Sequence, residues 1–208
     1  MITLLFISAS NAYDPNKVHP TPQILDPIGS KPDALVLTAS EEVQLRSGES
    51  LLRQQKGSNG GRGVAVQYIN APASKVWETI LDYPQYPNRV KNVVECTVYQ
   101  RASRTDEELL FVEMISSVWS VKIGLYTVNK IRKKEGYMHW YLDRRKESDA
   151  KDLVGYWRVE ELSTNPPLTR VDHSTEMVVS GVPGFIADYL TKDALVSGTA
   201  WVKKYSEQ

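Results

Sequence analysis

The sequence predicts an α+β domain in which a curved antiparallel sheet wraps around a long C-terminal helix. Three observations carry this. From residue 63 onward the chain runs as short alternating segments divided by polar or glycine-containing turns. A long helical pattern follows them, with Ile186, Leu190, Ala194, Ser197, Trp201 and Tyr205 recurring at spacings of three and four on one face. Between the two lies a hinge, Gly181-Val182-Pro183-Gly184. An amphipathic helix needs an apolar surface to lie on, and a sheet of many strands must curl, so the helix fills the concavity.

With 208 residues and 41% hydrophobic content, the chain is long enough for one main domain with a sizeable core and an extension. Lys and Arg balance Asp and Glu at 25 each, which removes the global field that recruits nucleic acid and leaves only local patches. No nucleic-acid partner is expected. The single cysteine, Cys96, excludes an intramolecular disulfide and a cysteine-rich metal site, and reads as a small buried hydrophobe. Residues 1–12 hold a short apolar run followed by small residues, which admits a trimmed signal for export or organelle import, or an untargeted terminus. The run is far too short to span a membrane, and localisation stays open.

Residues 13–33 carry five prolines and few apolar groups, a composition that disfavours helix and sheet and marks a tether. Residues 34–62 form an extension: Ser40-Glu41-Glu42 supplies a hydroxyl cap and an acidic first turn for a short helix that Gly48 stops, and 51–55 suit a short strand before a Gly-rich turn at 57–63. The main domain then covers 63–208. Val64, Val66 and Tyr68 alternate with Ala65, Gln67 and Ile69 in its first strand. Pro72 opens a helix with Val76, Trp77, Ile80 and Leu81 on its apolar face, and the prolines within 82–87 allow only turns or very short helices. Six strands follow at 91–102, 107–118, 121–132, 136–143, 153–161 and 169–180, a meander by the shortness of their separators. Val121, Ile123, Leu125 and Thr127 share one face of the third. In the last strand Val171, His173, Thr175, Met177 and Val179 point inward, and Asp172, Ser174 and Glu176 are expected in solvent.

Several local sequences carry a resemblance. A strand leading into Ala71-Pro72 and Ser74-Lys75-Val76-Trp77, then Asp82-Tyr83-Pro84-Gln85-Tyr86-Pro87 and Val90-Lys91-Asn92-Val93, is similar to the polyketide cyclase/dehydrase and lipid-transport family. Gly155-Tyr156-Trp157-Arg158-Val159 resembles that family's Gly-x-Trp strand, Thr169-Arg170-Val171 its last strand, and Val182-Pro183-Gly184-Phe185 the start of its terminal helix. The resemblance covers about residues 49–206 and implies the START-like helix-grip fold of the SRPBCC superfamily, shared with coenzyme-Q-binding proteins and the birch-pollen-allergen (Bet v) type. It also implies a hydrophobic small molecule in a cavity between helix and sheet, with a minority of members catalysing cyclisation or aromatisation through individually placed polar groups.

His173 is the candidate for such chemistry, since an inward imidazole can hydrogen-bond a ligand carbonyl or move a proton; the competing reading is an imidazole satisfied by its neighbours. His139, beside Trp140 and Tyr141, is expected at a surface, and His19 in the tether. Glu113 is either a buried carboxylate or faces outward, opposite Leu110, Val112 and Met114. Of five tryptophans, Trp157 and Trp201 suit a cavity wall and Trp77 the packing of the first helix. The basic clusters 132–134 and 144–146 suit either solvated turns, given interleaved acids, or transient contact with anionic lipid. No phosphate-binding loop, dinucleotide motif, His-Glu-x-x-His or paired nucleophile and base occurs, so neither cofactor nor metal is expected.

The expectation is therefore a monomer that binds or transports a lipid, a quinone or another isoprenoid. Leu125, Trp157, His173, Met177, Ile186, Leu190, Ala194 and Trp201 are expected to line the cavity. The alternative is a cyclase or dehydratase using His173 as general acid or base.

Overall fold

The computed structural model describes residues 13–57, 60–118, 121–179, 195 and 198–208, with only the backbone at 54–57 and 60–62. One sheet of eight antiparallel strands dominates it, in the order β1-β2-β8-β7-β6-β5-β4-β3. The strands are β1 (Leu51–Gly57), β2 (Gly60–Ile69), β3 (Val93–Arg104), β4 (Glu107–Val118), β5 (Val121–Arg132), β6 (Tyr137–Leu142), β7 (Ala150–Thr164) and β8 (Pro167–Val179). The six consecutive strands β3 to β8 form the expected meander. β2 returns to pair with β8, and β1 extends the same sheet beyond it. Shifts of register between β3 and β4 and between β7 and β8 insert unpaired residues, which bend and twist the strands locally.

The helices are α1 (Ala39–Arg46), α2 (Ala73–Leu81), α3 (Tyr86–Arg89) and a C-terminal helix, α4, over 198–206. A 3-10 turn at Tyr83–Gln85 joins α2 to α3, because the prolines in this stretch permit nothing longer. The cap of α1 lies two residues before the expected Ser40: Thr38 accepts from the Glu41 amide while Glu41 accepts from the Thr38 amide. That reciprocal box satisfies two orphan amides at once, whereas a lone hydroxyl at 40 would satisfy one.

α4 is seated by polar contacts at its rim and apolar ones beneath. Gln67 Nε2 donates to Thr199 O at 2.7 Å and Lys203 Nζ to Tyr68 O at 2.8 Å. Trp201 and Val202 join Val76, Trp77, Ile80, Trp157 and Val171 in the larger apolar cluster between helices and sheet. A Cβ on Gly63 would lie 1.9 Å from Leu195 Cδ1, so β2 is bare where the helical Leu195 presses on it. The hinge at 181–184 lies outside the described residues, and no helix among the described residues is long and apolar enough to cross a membrane.

Residues 13–38 contain no helix or strand, as their prolines dictate, yet they are held against the convex face of the sheet rather than trailing from it. The Ile24 and Leu25 amides donate to Asp152 Oδ2 at 2.6 and 2.7 Å, and Arg144 donates to its other oxygen. Tyr137 Oη donates to Ile28 O at 2.6 Å and Arg170 Nη2 to Leu35 O at 2.8 Å. His19 is buried, donating to Lys151 O and accepting from the Ser148 amide.

This strap overturns three expectations of exposure. Asp172 and Ser174 do face away from the cavity, but both are buried, Asp172 between Arg170 and Arg158. His139 is buried on the same convex face, edge-on to Tyr137, and burial with the charges of Lys130 and Arg132 pushes its pKa down to about 4. Alternation fixes which face a residue takes; whether something covers that face is a separate matter.

Candidate functional site

Every strand from β3 to β8 sends inward side chains to one cavity of about 210 Å³. β8 contributes His173, Thr175 and Met177; β7, Leu153 and Trp157; β6, Met138 and Trp140. β5 adds Ile123, Leu125, Thr127 and Asn129, while β4 adds Val112, Met114, Ser116 and Val118. Tyr83 and Tyr86 close it from the short helices, Cys96 from β3, and Gly198 and Trp201 from α4. The period-two pattern explains the selection, for in each strand residues of one parity line the cavity. Glu113, of the opposite parity, accepts from Tyr126 Oη on the convex face.

Of the residues expected to line a site, Leu125, Trp157, His173, Met177 and Trp201 are brought together here. Ile186, Leu190 and Ala194 lie outside the described residues. Trp140, Tyr83, Tyr86 and Asn129 were not singled out by sequence. β6 carries large side chains on both parities, Tyr137, His139 and Tyr141 against Met138, Trp140 and Leu142, so alternation there gave no sign of which face was concave.

Three aromatic rings form one floor. His173 stands opposite Trp157 across the β7–β8 ladder, with centroids 4.1 Å apart. On its other side Trp140 stacks at 5.5 Å and 25°. Trp140 belongs to β6 and must reach across β7, which it does over Gly155: a Cβ there would lie 2.2 Å from Trp140 Cζ2 and 2.5 Å from Ser174 O. Opposite the floor is Gly198, whose hypothetical Cβ would stand 3.9 Å from His173 Cε1.

The polar groups in this wall are mostly tied back to the protein. Asn129 Nδ2 donates to Thr127 Oγ1 at 3.0 Å, Tyr86 Oη to Ile80 O at 2.6 Å, and Tyr83 Oη faces Met138 Sδ at 3.9 Å. His173 differs: its buried Nδ1 has no hydrogen-bond partner among the described residues. Burial alone drives its pKa down to about 3, so the ring is neutral at physiological pH. Burial likewise raises the phenols of Tyr83 and Tyr86 and pushes the Cys96 thiol up to about 12, with Glu113 adding to the latter. Cys96 is thus the inert thiol expected. Among the described residues no three His, Cys, Asp or Glu side chains converge as a metal site.

Residues 69–195 match the polyketide cyclase / dehydrase and lipid transport family. The chain belongs to this family. Its fold is shared with solved members of the START superfamily. A START superfamily protein from Mycobacterium smegmatis superposes with a TM-score of 0.56 at 15% identity, over 71% of this chain and 97% of that one. Protein TTHA0849 from Thermus thermophilus gives 0.55 at 16%, over 70% and 94%. One di-domain aromatase/cyclase, StfQ of the steffimycin biosynthetic pathway, gives 0.53 at 9%, over 81% and 55%. At such identities the likeness shows the helix-grip fold. No curated protein sequence matches the chain. Family membership points to hydrophobic-ligand binding or polyketide-cyclase-like chemistry, and both require an apolar molecule.

The two basic clusters differ in what the fold leaves of them. Arg144 pairs with Asp152, Arg145 with Asp143, and Lys146 lies over the rings of Tyr99 and Tyr126, so the second cluster is committed to internal contacts. In the first, Arg132 pairs with Glu107 while Lys133 and Lys134 are exposed.

Proposed function

We propose that this protein is a non-catalytic carrier of a hydrophobic small molecule, a lipid, a quinone or another isoprenoid, held between α4 and the concave face of the sheet. The observation that carries the reading is the wall itself. Apolar and aromatic groups from six strands and α4 surround a cavity in which the described ionisable tyrosines, cysteine and histidine are held neutral by burial. Binding then rests on apolar area removed from water, at about 25 cal/mol per Å². The volume lies below the roughly 300–1,000 Å³ of pockets for drug-sized ligands, which favours a ring system or the head of a longer chain.

A second reading, a cyclase or dehydratase with His173 as acid or base, is supported by the unpartnered Nδ1 and by the fold shared with an aromatase/cyclase. Against it, a pKa of about 3 leaves on the order of one imidazolium in ten thousand at pH 7 and makes the neutral ring a weak base. Among the described residues no carboxylate orients the ring, and the Trp faces on either side supply none.

Mass spectrometry of the organic extract of protein isolated from its native cell tests the proposal, with Gly198→Leu as the cavity-filled control. The expected result is a stoichiometric apolar ligand that the variant lacks. A ligand retained equally by the variant would overturn the location. Turnover of that ligand by the parent and its loss in His173→Gln would favour the catalytic reading instead.

A further inference from the structure

We propose that the cavity selects an uncharged, planar ligand bearing a carbonyl or hydroxyl group, stacked on the aromatic floor with its polar atom hydrogen-bonded to His173. The inference rests on the reading of this cavity as a ligand site and names the class of molecule it takes.

The floor determines shape. Trp140 and Trp157 flank the His173 ring, and Gly155 is the device that lets the Trp140 indole cross β7 to reach it. A flat floor with Gly198 opposite leaves a slot whose height favours a ring edge-on to the helix over a kinked chain.

His173 determines polarity. A buried ring nitrogen without a partner is a standing cost of folding, which a ligand carbonyl or hydroxyl removes on binding. The other polar side chains of the wall spend hydrogen bonds on the protein: Asn129 on Thr127 and Leu110, Thr127 on Val112, Tyr86 on Ile80. The preference therefore concentrates at one atom.

Charge is selected against. The groups packed about the imidazole are Trp157 from β7, Trp140 from β6, Ala65 as the register partner on β2, and Gly198 from α4, none of which titrates. Tyr83, Tyr86 and Cys96 elsewhere in the wall are kept neutral, and Lys91 stands at the α3–β3 turn. A carboxylate beside His173 would be desolvated by two indoles and offered a neutral imidazole in place of a cation.

Four probes that share one ring test this by isothermal titration calorimetry of the full chain at pH 7. They are 2-acetylnaphthalene, 1-(2-naphthyl)ethanol, 2-ethylnaphthalene and 2-naphthoate. The ketone or the alcohol should bind about 2- to 10-fold tighter than the hydrocarbon, the worth of one net hydrogen bond. Naphthoate should bind weaker than the better of them by on the order of 100-fold. His173→Phe should abolish the preference while keeping the hydrocarbon's affinity within about threefold. Naphthoate binding as tightly as the ketone, a hydrocarbon equal to both polar probes, or a preference that survives in His173→Phe would overturn the inference. The parent's ranking of the four probes needs no variant. Binding that Gly198→Leu leaves intact, or no binding of any probe, would instead overturn the cavity as a ligand site.

Discussion

Gly198 exposes the trade between stability and space most directly. It sits in α4, where glycine is less stable than alanine by roughly 0.5–1 kcal/mol. Its φ is not in the left-handed region, and a Cβ would meet only His173 Cε1 at 3.9 Å, an ordinary van der Waals contact. Gly198→Ala should therefore stabilise the chain by about that amount, a rise in Tm of about 1–4 °C at this length. Gly198→Leu keeps the helix benefit and sends three further carbons into the 210 Å³ beyond. Unfolding followed by circular dichroism, with and without 2-acetylnaphthalene, separates the two effects. Ligand at 100 times Kd should add about 2.7 kcal/mol to the parent and to Gly198→Ala, and nothing to Gly198→Leu. Destabilisation by alanine would refute the geometry of α4; ligand protection of Gly198→Leu would refute the site.

The two buried histidines make stability depend on pH. Their folded pKa values, about 3 for His173 and about 4 for His139, lie below the unfolded value of 6.5, so the unfolded chain binds more protons as pH falls. Their contribution is whole above about pH 6.5 and is lost on acidification, at up to about 1.4 kcal/mol per pH unit for each ring. His139→Phe should remove one such slope between pH 6 and 4 in denaturant titrations; an unchanged slope would count against its buried neutral state. Gly155→Ala drives a Cβ into Trp140 and the Ser174 carbonyl, and should cost about 2–3 kcal/mol while changing the near-ultraviolet circular dichroism. A silent substitution there would disprove the crossing of β7 by the indole. Asp152→Ala removes the acceptor of the Ile24 and Leu25 amides and leaves Arg144 unpaired, for a loss of about 3–5 kcal/mol. Limited trypsinolysis should then cut at Lys17 and Lys31 faster than in the parent, and equal rates would mean that Asp152 does not hold the strap.

The strands were legible because each obeys the two-residue period between turn signals, and their observed limits fall within about three residues of those expected. The same parity placed Leu125, Trp157, His173 and Met177 in the cavity. It could not place Trp140, whose strand is bulky on both faces. Nor could it find Gly155, since the need for a missing Cβ arises from an indole two residues across a neighbouring strand and leaves no local trace.

The exposure errors have one physical source. Antiparallel sheets commonly leave one face in water, and Asp172, Ser174 and His139 were placed by that rule. Here the strap supplies a second covering layer without secondary structure of its own, fastened by backbone amides and carbonyls rather than by an apolar stripe. Main-chain fastening has no side-chain signature, so composition alone suggested a tether. What the sequence did contain was the other half of each bond: Asp152, Arg144, Tyr137 and Arg170 all stand on the outward parity of β6, β7 and β8 or the turn beside them. Charged and phenolic groups clustered on one parity of central strands are costly to bury alone, and they point to a covering segment that brings its own hydrogen-bond partners.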